Sequence, residues 1–275
     1  PVPPARIIGR EREVERVCAL LESARLVTLT GPAGTGKTRL SLAVAERAAH
    51  GFADGVCFVP LAGLDEPSLL PAAVAHAAEL VEPRASATIA GLAAALRERQ
   101  LLLVLDDFER IVAAAPAVAD LLARCPGLKA LVTSRVVLRI SGEHAFPVPP
   151  LALPDPAPAA GGNAAAGGNA AASPAVELFL ERARAVRPDL LLDAEETRAV
   201  AEICTRLEGM PLSIELAAAR VRLFPPKALL ARLGRRLDLL REGPRDRPAR
   251  HQTLRSALAW SYDLLAPAER ACFRR

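Results

Sequence analysis

The sequence predicts an α/β protein: a five-stranded parallel sheet covered by helices, followed by a small helical domain. Three observations lead there. Short apolar runs alternate with helical patterns through residues 1–151, the pattern of strands joined by crossover helices. Residues 101–105 read Leu-Leu-Leu-Val-Leu, too short for a helix and apolar at every position, as a strand buried on both faces must be. From residue 174 onward the strand patterns stop, and only helical segments divided by Pro and Gly remain.

Each element has its own reason. Ile7-Ile8 begins extended, Gly9 turns the chain, and the stretch to residue 25 reads as a helix with Val14, Val17, Cys18 and Leu21 on one side. Val27 to Thr30 forms the first strand, and a helix with Leu40, Ala43 and Val44 on one face follows. Turns at Gly51 and Asp54-Gly55 introduce a second strand, Val56 to Val59. Helices over 68–81 and 89–99 lead to the third strand at Leu101 to Leu105. A helix from Ile111 to Ala123 precedes the fourth strand, Leu128 to Arg135, and Ala145 to Leu151 is the fifth. Residues 152–173 then break all periodicity with a Pro-rich run and the tandem GGNAAAGGNAAA, a linker or surface insertion. Ser173-Pro174 restarts a helix with Ser as N-cap and Pro at its first position. Further helices at about 194–207, 211–222 and 226–240 complete a helical domain over 174–242.

Composition narrows the function classes. Of 275 residues, 51% are hydrophobic and only 3% aromatic, so the core is built from Leu, Val and Ala. No uninterrupted apolar stretch is long enough for a membrane span, and the N-terminal PVPPARIIGRERE has no signal-peptide run. Five scattered cysteines (Cys18, Cys57, Cys125, Cys204, Cys272) never form C-x-x-C and read as reduced core thiols of a cytoplasmic protein. Isolated histidines suggest no metal site. The net charge of +4 is uneven: residues 220–255 hold eleven Arg/Lys against three Asp/Glu. That block suits either a solvated helical face or an acidic partner such as nucleic acid.

The chemistry concentrates where the first strand ends. Gly31-Pro-Ala-Gly34-Thr35-Gly36-Lys37-Thr38 matches G-x-x-x-x-G-K-[ST], set between a strand and a helix as a phosphate loop must be. Glycines let the backbone come close to a ligand, and successive N–H groups at a helix N-terminus make an anion nest. Lys37 supplies charge for β- and γ-phosphates, and Thr38 a hydroxyl for Mg²⁺. The buried strand 101–105 ends in Asp106-Asp107, the expected partners: Asp106 to hold Mg²⁺, Asp107 to orient or deprotonate water. Either aspartate could instead cap the next helix. Arg135, at the end of the fourth strand, suits bidentate contact with the γ-phosphate, or is a surface arginine in a turn. A parallel sheet places Thr30, Asp106 and Arg135 at one edge, so they are expected to converge.

Seven stretches together resemble the NB-ARC-like branch of the STAND signal-transduction ATPases, especially the ATPase module of SARP- and LuxR-type bacterial transcriptional regulators. They are IIGRERE (7–13), LVTLTGPAGTGKTRL (26–40), LLLVLDDFE (101–109), LKALVTSR (128–135), FPVPPL (146–151), EGMPLSIELAAARV (208–221) and TLRSALAWSYDLL (253–265). The resemblance implies a P-loop NTPase that binds ATP or ADP with Mg²⁺. Its nucleotide contacts would include Gly31, Gly34, Thr35, Gly36, Lys37, Thr38 and Arg39. Ile8, Gly9 and Arg10 would line the adenine and ribose side, and Pro211 of Gly209-Met210-Pro211 would press on adenine from the helical domain. It also implies a switch, closed with ADP, and open and homo-oligomeric with ATP. Residues 243–275, with Trp260 and Tyr262, would be a linker and the truncated start of a winged helix. DNA would be met only through domains absent from this chain. Two departures stand out: Asp107 replaces an Asn frequent among such proteins, which favours hydrolysis, and the 161–172 repeat is foreign to the pattern.

The favoured function is therefore a nucleotide switch with slow Mg²⁺-dependent ATP hydrolysis in a signal-responsive regulator. The alternative is an autonomous AAA+-like ATPase with remodelling activity. A small-molecule kinase fits less well, since it gives no reason for the Gly-Met-Pro helical domain.

Overall fold

The computed structural model describes residues 6–80, 87–154 and 173–233. Its sheet holds five strands, β1 (Leu26–Thr30), β2 (Val56–Pro60), β3 (Leu101–Asp106), β4 (Leu128–Ser134) and β5 (Glu143–Pro147). Their order is β2-β3-β4-β1-β5, and every pairing is parallel. All carboxyl ends therefore lie on one edge.

The uniform apolarity of β3 has a simple cause: the two-residue period sends alternate side chains to two different cores. Leu101, Leu103 and Leu105 join one core with α3 (Leu70–Ala77), α4 (Ile89–Leu96) and α5 (Ala115–Arg124). Leu102 and Val104 join the other, with α1 (Glu11–Ser23) and α2 (Lys37–Ala48). β4 repeats the division, with Leu128, Ala130 and Val132 facing the first core and Leu131 the second. Burying a Leu or Val side chain is worth about 1.5–3 kcal/mol, so a register slip by one residue is excluded wherever one neighbour is already fixed.

Several predicted bounds need correction: the helices expected over 68–81, 89–99 and 211–222 run Leu70–Ala77, Ile89–Leu96 and Pro211–Ala218, the last followed by a 3-10 turn at Ala219–Arg222. The fifth strand runs Glu143–Pro147 and not Ala145 to Leu151. Val148 still donates its N–H to the Thr30 carbonyl at 2.8 Å, but Pro149 and Pro150 have no N–H to continue the ladder. The helix expected over Ile111 to Ala123 starts only at Ala115, after the short 3-10 turns Phe108–Arg110 and Val112–Ala114.

The chain divides into two units, the first comprising residues 1–32 and 37–148, the second 33–36 and 149–275. The second unit contains α6 (Pro174–Val186), α7 (Ala194–Arg206), α8 (Pro211–Ala218) and α9 (Pro226–Arg232). Ser173 caps α6 through its side chain, and Asp193 with Glu196 forms a capping box on α7. Gly209 explains the Gly-Met-Pro motif locally. Its φ is +65°, the Leu151 N–H donates to its carbonyl at 2.9 Å, and a Cβ there would sit 2.3 Å from the Leu151 carbonyl oxygen. Only glycine fits.

The helix expected to reach residue 240 is described as far as Arg232. The 161–172 repeat, the part of the arginine-rich block from residue 234 onward and the segment with Trp260 and Tyr262 lie outside the described residues. Cys18, Cys57, Cys125 and Cys204 are free thiols, while Cys272 lies outside the described residues. Burial raises the Cys57 thiol to about 11 and Cys204 to about 12, which favours the neutral thiol of both at neutral pH. Among the described residues, no helix is long and apolar enough to cross a membrane.

Candidate functional site: a phosphate loop beside two strand ends

β1 ends at Thr30 and the backbone turns at Gly31 with φ +147°. Gly34 and Gly36 take φ +84° and +92°, conformations that side chains disfavour. A Cβ at Gly36 would meet nothing within 4 Å, so backbone conformation alone demands glycine there. Thr35 is buried, and Lys37 and Thr38 open α2.

Lys37 is 8% exposed, and its ammonium donates to the carbonyls of Gly31 at 2.8 Å and Pro32 at 3.1 Å. Desolvation lowers its pKa below the ordinary lysine value. The charges of Glu109, Asp107 and Asp106 oppose that shift, while Arg135 adds to it. The charges of Asp106, Asp107, Glu109 and Arg135, at or just beyond the ends of β3 and β4, thus all reach the loop lysine.

Residues 68 positions apart meet next. The Thr38 hydroxyl donates to Asp106 Oδ1 at 2.8 Å, and the Thr133 hydroxyl donates to the same oxygen at 2.6 Å. Sheet order makes this meeting necessary, because β4 lies between β1 and β3. Burial raises the Asp106 carboxyl from 3.8 to about 6, with the neighbouring Asp107 charge adding and the two hydroxyls opposing. Both bonds fall on Oδ1, which leaves Oδ2 outside them.

Thr133 also accepts the Asp107 N–H at 2.9 Å, and it is wholly buried. Asp107 has φ +62° and ψ +45°, the left-handed region that Asp tolerates better than most residues. That turn feeds the Phe108–Arg110 3-10 segment, with Phe108 fully buried as its anchor. It also carries Glu109 back towards β4, where Glu109 Oε1 accepts from Arg135 Nε at 3.2 Å. The side chains of this pair are 4% and 13% exposed for Glu109 and Arg135. Burial, with the Asp107 charge next, pushes the Glu109 carboxyl up, against the pull of Lys37 and Arg135.

The sequence-predicted groups Lys37, Thr38, Asp106, Asp107 and Arg135 therefore converge. Thr133 and Glu109 went unassigned, although both lie inside the motif stretches. Their signal was positional: Thr133 faces Asp106 across a parallel pair, since Leu105 pairs with Val132. Ile8 is buried, Gly9 turns at φ +60°, and the 5%-exposed Arg10 pairs with Glu13 at 3.3 Å. Arg39 donates to the Arg6 carbonyl at 3.4 Å. Pro211 stands at the first position of α8 in the second unit. Among the described residues, no group of three or more His, Cys, Asp or Glu is placed to hold a metal unaided. A hydroxyl and one carboxylate suit Mg²⁺, which keeps waters and takes phosphate oxygens to complete its shell.

A phosphate-loop helix joined through its hydroxyl to an acidic strand end, in a sheet ordered β2-β3-β4-β1-β5, decides the architecture. The fold is that of a P-loop NTPase. Residues 6–138 match the family model of the AAA ATPase domain. The P-loop fold is shared with a Walker-type ATPase of Pyrococcus abyssi, at a TM-score of 0.54 and 16% identity over 85% of this chain and 72% of that one. Among curated proteins, an uncharacterised Mycobacterium tuberculosis protein is 38% identical over 270 residues, covering 98% of this chain and 64% of the relative. A protein of the same species named as an HTH-type transcriptional regulator is 39% identical over 258 residues, 94% of this chain and 27% of that protein. Regulatory protein AfsR of Streptomyces griseus is 27% identical over 261 residues, 90% of this chain and 23% of its own length. Residues 6–138 are thus similar to the AAA ATPase domain, and the chain as a whole is similar to part of proteins named as transcriptional regulators, spanning about a quarter of those regulators' length.

Proposed function

We propose that the chain is a Mg²⁺-dependent ATP/ADP switch, slow in hydrolysis, within a signal-responsive transcriptional regulator. The observation that carries this reading is the 2.8 Å bond from Thr38 to Asp106, which brings a metal-ligating hydroxyl and a carboxylate to the mouth of the phosphate loop. In this reading the N–H groups of Gly31, Gly34, Thr35 and Gly36 cradle the phosphates, and Lys37 exchanges its two loop carbonyls for β- and γ-phosphate oxygens. Thr38 and Asp106 hold Mg²⁺, which neutralises phosphate charge. Asp107 orients the attacking water, and Arg135 meets the γ-phosphate. Arg39, Ile8, Gly9, Arg10 and Pro211 are assigned to the nucleotide through the NB-ARC-like resemblance, as is homo-oligomerisation in the ATP state. The names of the regulator relatives support a role in transcription control. DNA contact is assigned to other parts of such proteins.

Slow hydrolysis is what separates a switch from a remodelling machine. The test is to identify the nucleotide released from purified protein and to measure turnover with Mg²⁺. A switch releases ADP and turns over rarely. Rapid steady turnover, accelerated by a macromolecular substrate, contradicts the switch and favours remodelling.

A further inference from the structure

The Glu109–Arg135 pair has features that a purely structural ion pair does not need. It sits just beyond the adjacent ends of β3 and β4, with side chains 4% and 13% exposed. Arg135 donates through its Nε to Glu109 Oε1 at 3.2 Å, while Glu109 Oε2 is buried with no hydrogen-bond partner among the described residues. An unpaired buried acceptor is costly and the large majority of buried side-chain polar atoms are paired, so the open Oε2 calls for an explanation. Both charges also reach Lys37: among the carboxylates, Glu109 most strongly favours the lysine's charged form, and Arg135 opposes it. The charges of the pair therefore act on the lysine that would meet the terminal phosphates.

We propose that Glu109 is a positioning residue that competes with the nucleotide's terminal phosphate for the Arg135 guanidinium, and so sets the preference between diphosphate and triphosphate. This rests on the nucleotide-switch reading above. With a diphosphate, Arg135 stays on Glu109. A triphosphate brings anionic oxygens of the kind that guanidinium grips well, and it must take Arg135 from Glu109 to be sensed. The free energy of that exchange falls on the triphosphate complex alone, so Glu109 biases the site towards the diphosphate state. Nothing in the exchange requires a bond to be made or broken; it is a change of partner for one cation.

The test is calorimetric titration of the full chain with Mg²⁺ and either ADP or a non-hydrolysable ATP analogue. Glu109→Gln keeps the side-chain shape and removes the competing charge. It should tighten the triphosphate by about tenfold, within the usual range of coupling between sites, and change ADP affinity by less than about twofold. Glu109→Asp withdraws the charge by one methylene and should shift the ratio in the same direction by less, which keeps the test open if Glu109→Gln folds poorly. In an Arg135→Gln background, Glu109→Gln should leave the ratio unchanged. An unshifted ratio in both Glu109 variants overturns the proposal and leaves the phosphate-loop reading standing. So does an equal shift in the Arg135→Gln background, because the effect would then be a general change of field. No binding of either nucleotide by the wild type overturns both.

Discussion

Replacing Asp106 by Asn should make the nucleotide-free protein more stable at neutral pH. The carboxylate is 5% exposed and its pKa is raised to about 6 from 3.8, chiefly by desolvation. At 1.36 kcal/mol for each tenfold change in proton affinity, that amounts to about 3 kcal/mol of native-state cost above pH 6. The direction follows from linkage. A carboxyl whose folded pKa is raised binds protons more tightly in the native state than in the unfolded state. Its contribution is therefore most favourable below pH 3.8 and is lost as pH rises through about 6. Asn carries no charge but still accepts the hydroxyls of Thr38 and Thr133 through its amide oxygen. Urea denaturation and thermal melts in EDTA, from pH 4 to pH 8, provide the assay. Asp106→Asn should exceed wild type by about 3 kcal/mol at pH 8, or about 6–12 °C in melting temperature, and the gap should close towards pH 4. With Mg²⁺ and nucleotide present the order should reverse, since the variant lacks the metal-binding carboxylate. Equal or lower stability of the variant at pH 8 in EDTA would refute the reasoning, because burial would not then be what raises this carboxyl.

Three other outcomes follow from the same contacts. Thr133→Val removes a wholly buried hydroxyl that serves Asp106 and the Asp107 N–H together, and should cost about 2–4 kcal/mol in urea denaturation; an unchanged midpoint would mean that neither bond matters. Gly209→Ala combines a φ of +65° with a Cβ placed 2.3 Å from a backbone oxygen, and should lose about 2–4 kcal/mol; a melt like that of wild type would show that the Leu151 segment yields freely. Asp107→Asn keeps a side chain that tolerates φ +62° and should bind Mg·ATP as wild type does while losing hydrolysis; equal turnover by the two proteins would remove Asp107 as the water-orienting group.

The fold was legible because its signals are strong and local. An all-aliphatic β3 allows one interpretation only, and the phosphate loop fixes a strand before it and a helix after it. The parallel sheet then places Lys37, Thr38, Asp106 and Arg135 on one edge without any need to know the packing. What stayed hidden depends on contacts between strands. Thr133 looks like any β-branched residue until the β3–β4 register sets it beside Asp106. Glu109 looks like a solvated acid after a strand. It is buried because Asp107 turns left-handed and Phe108 anchors the following turn, neither of which leaves a periodic trace. The boundary of β5 was missed for a different reason: Phe146 and Val148 alternate like a strand, but the prolines at 149 and 150 remove the donors that a ladder needs.

The central claim is that the loop from Gly31 to Thr38 binds nucleotide phosphates with Lys37 and Mg²⁺. The most direct measurement is the thermal shift of wild type and Lys37→Ala with Mg²⁺ and ADP or ATP. At about one hundred times Kd, ligand should stabilise the wild type by roughly 2.7 kcal/mol, about 5–11 °C at this chain length, and should not shift Lys37→Ala. An equal shift in the two proteins, or no shift in the wild type, would contradict the claim.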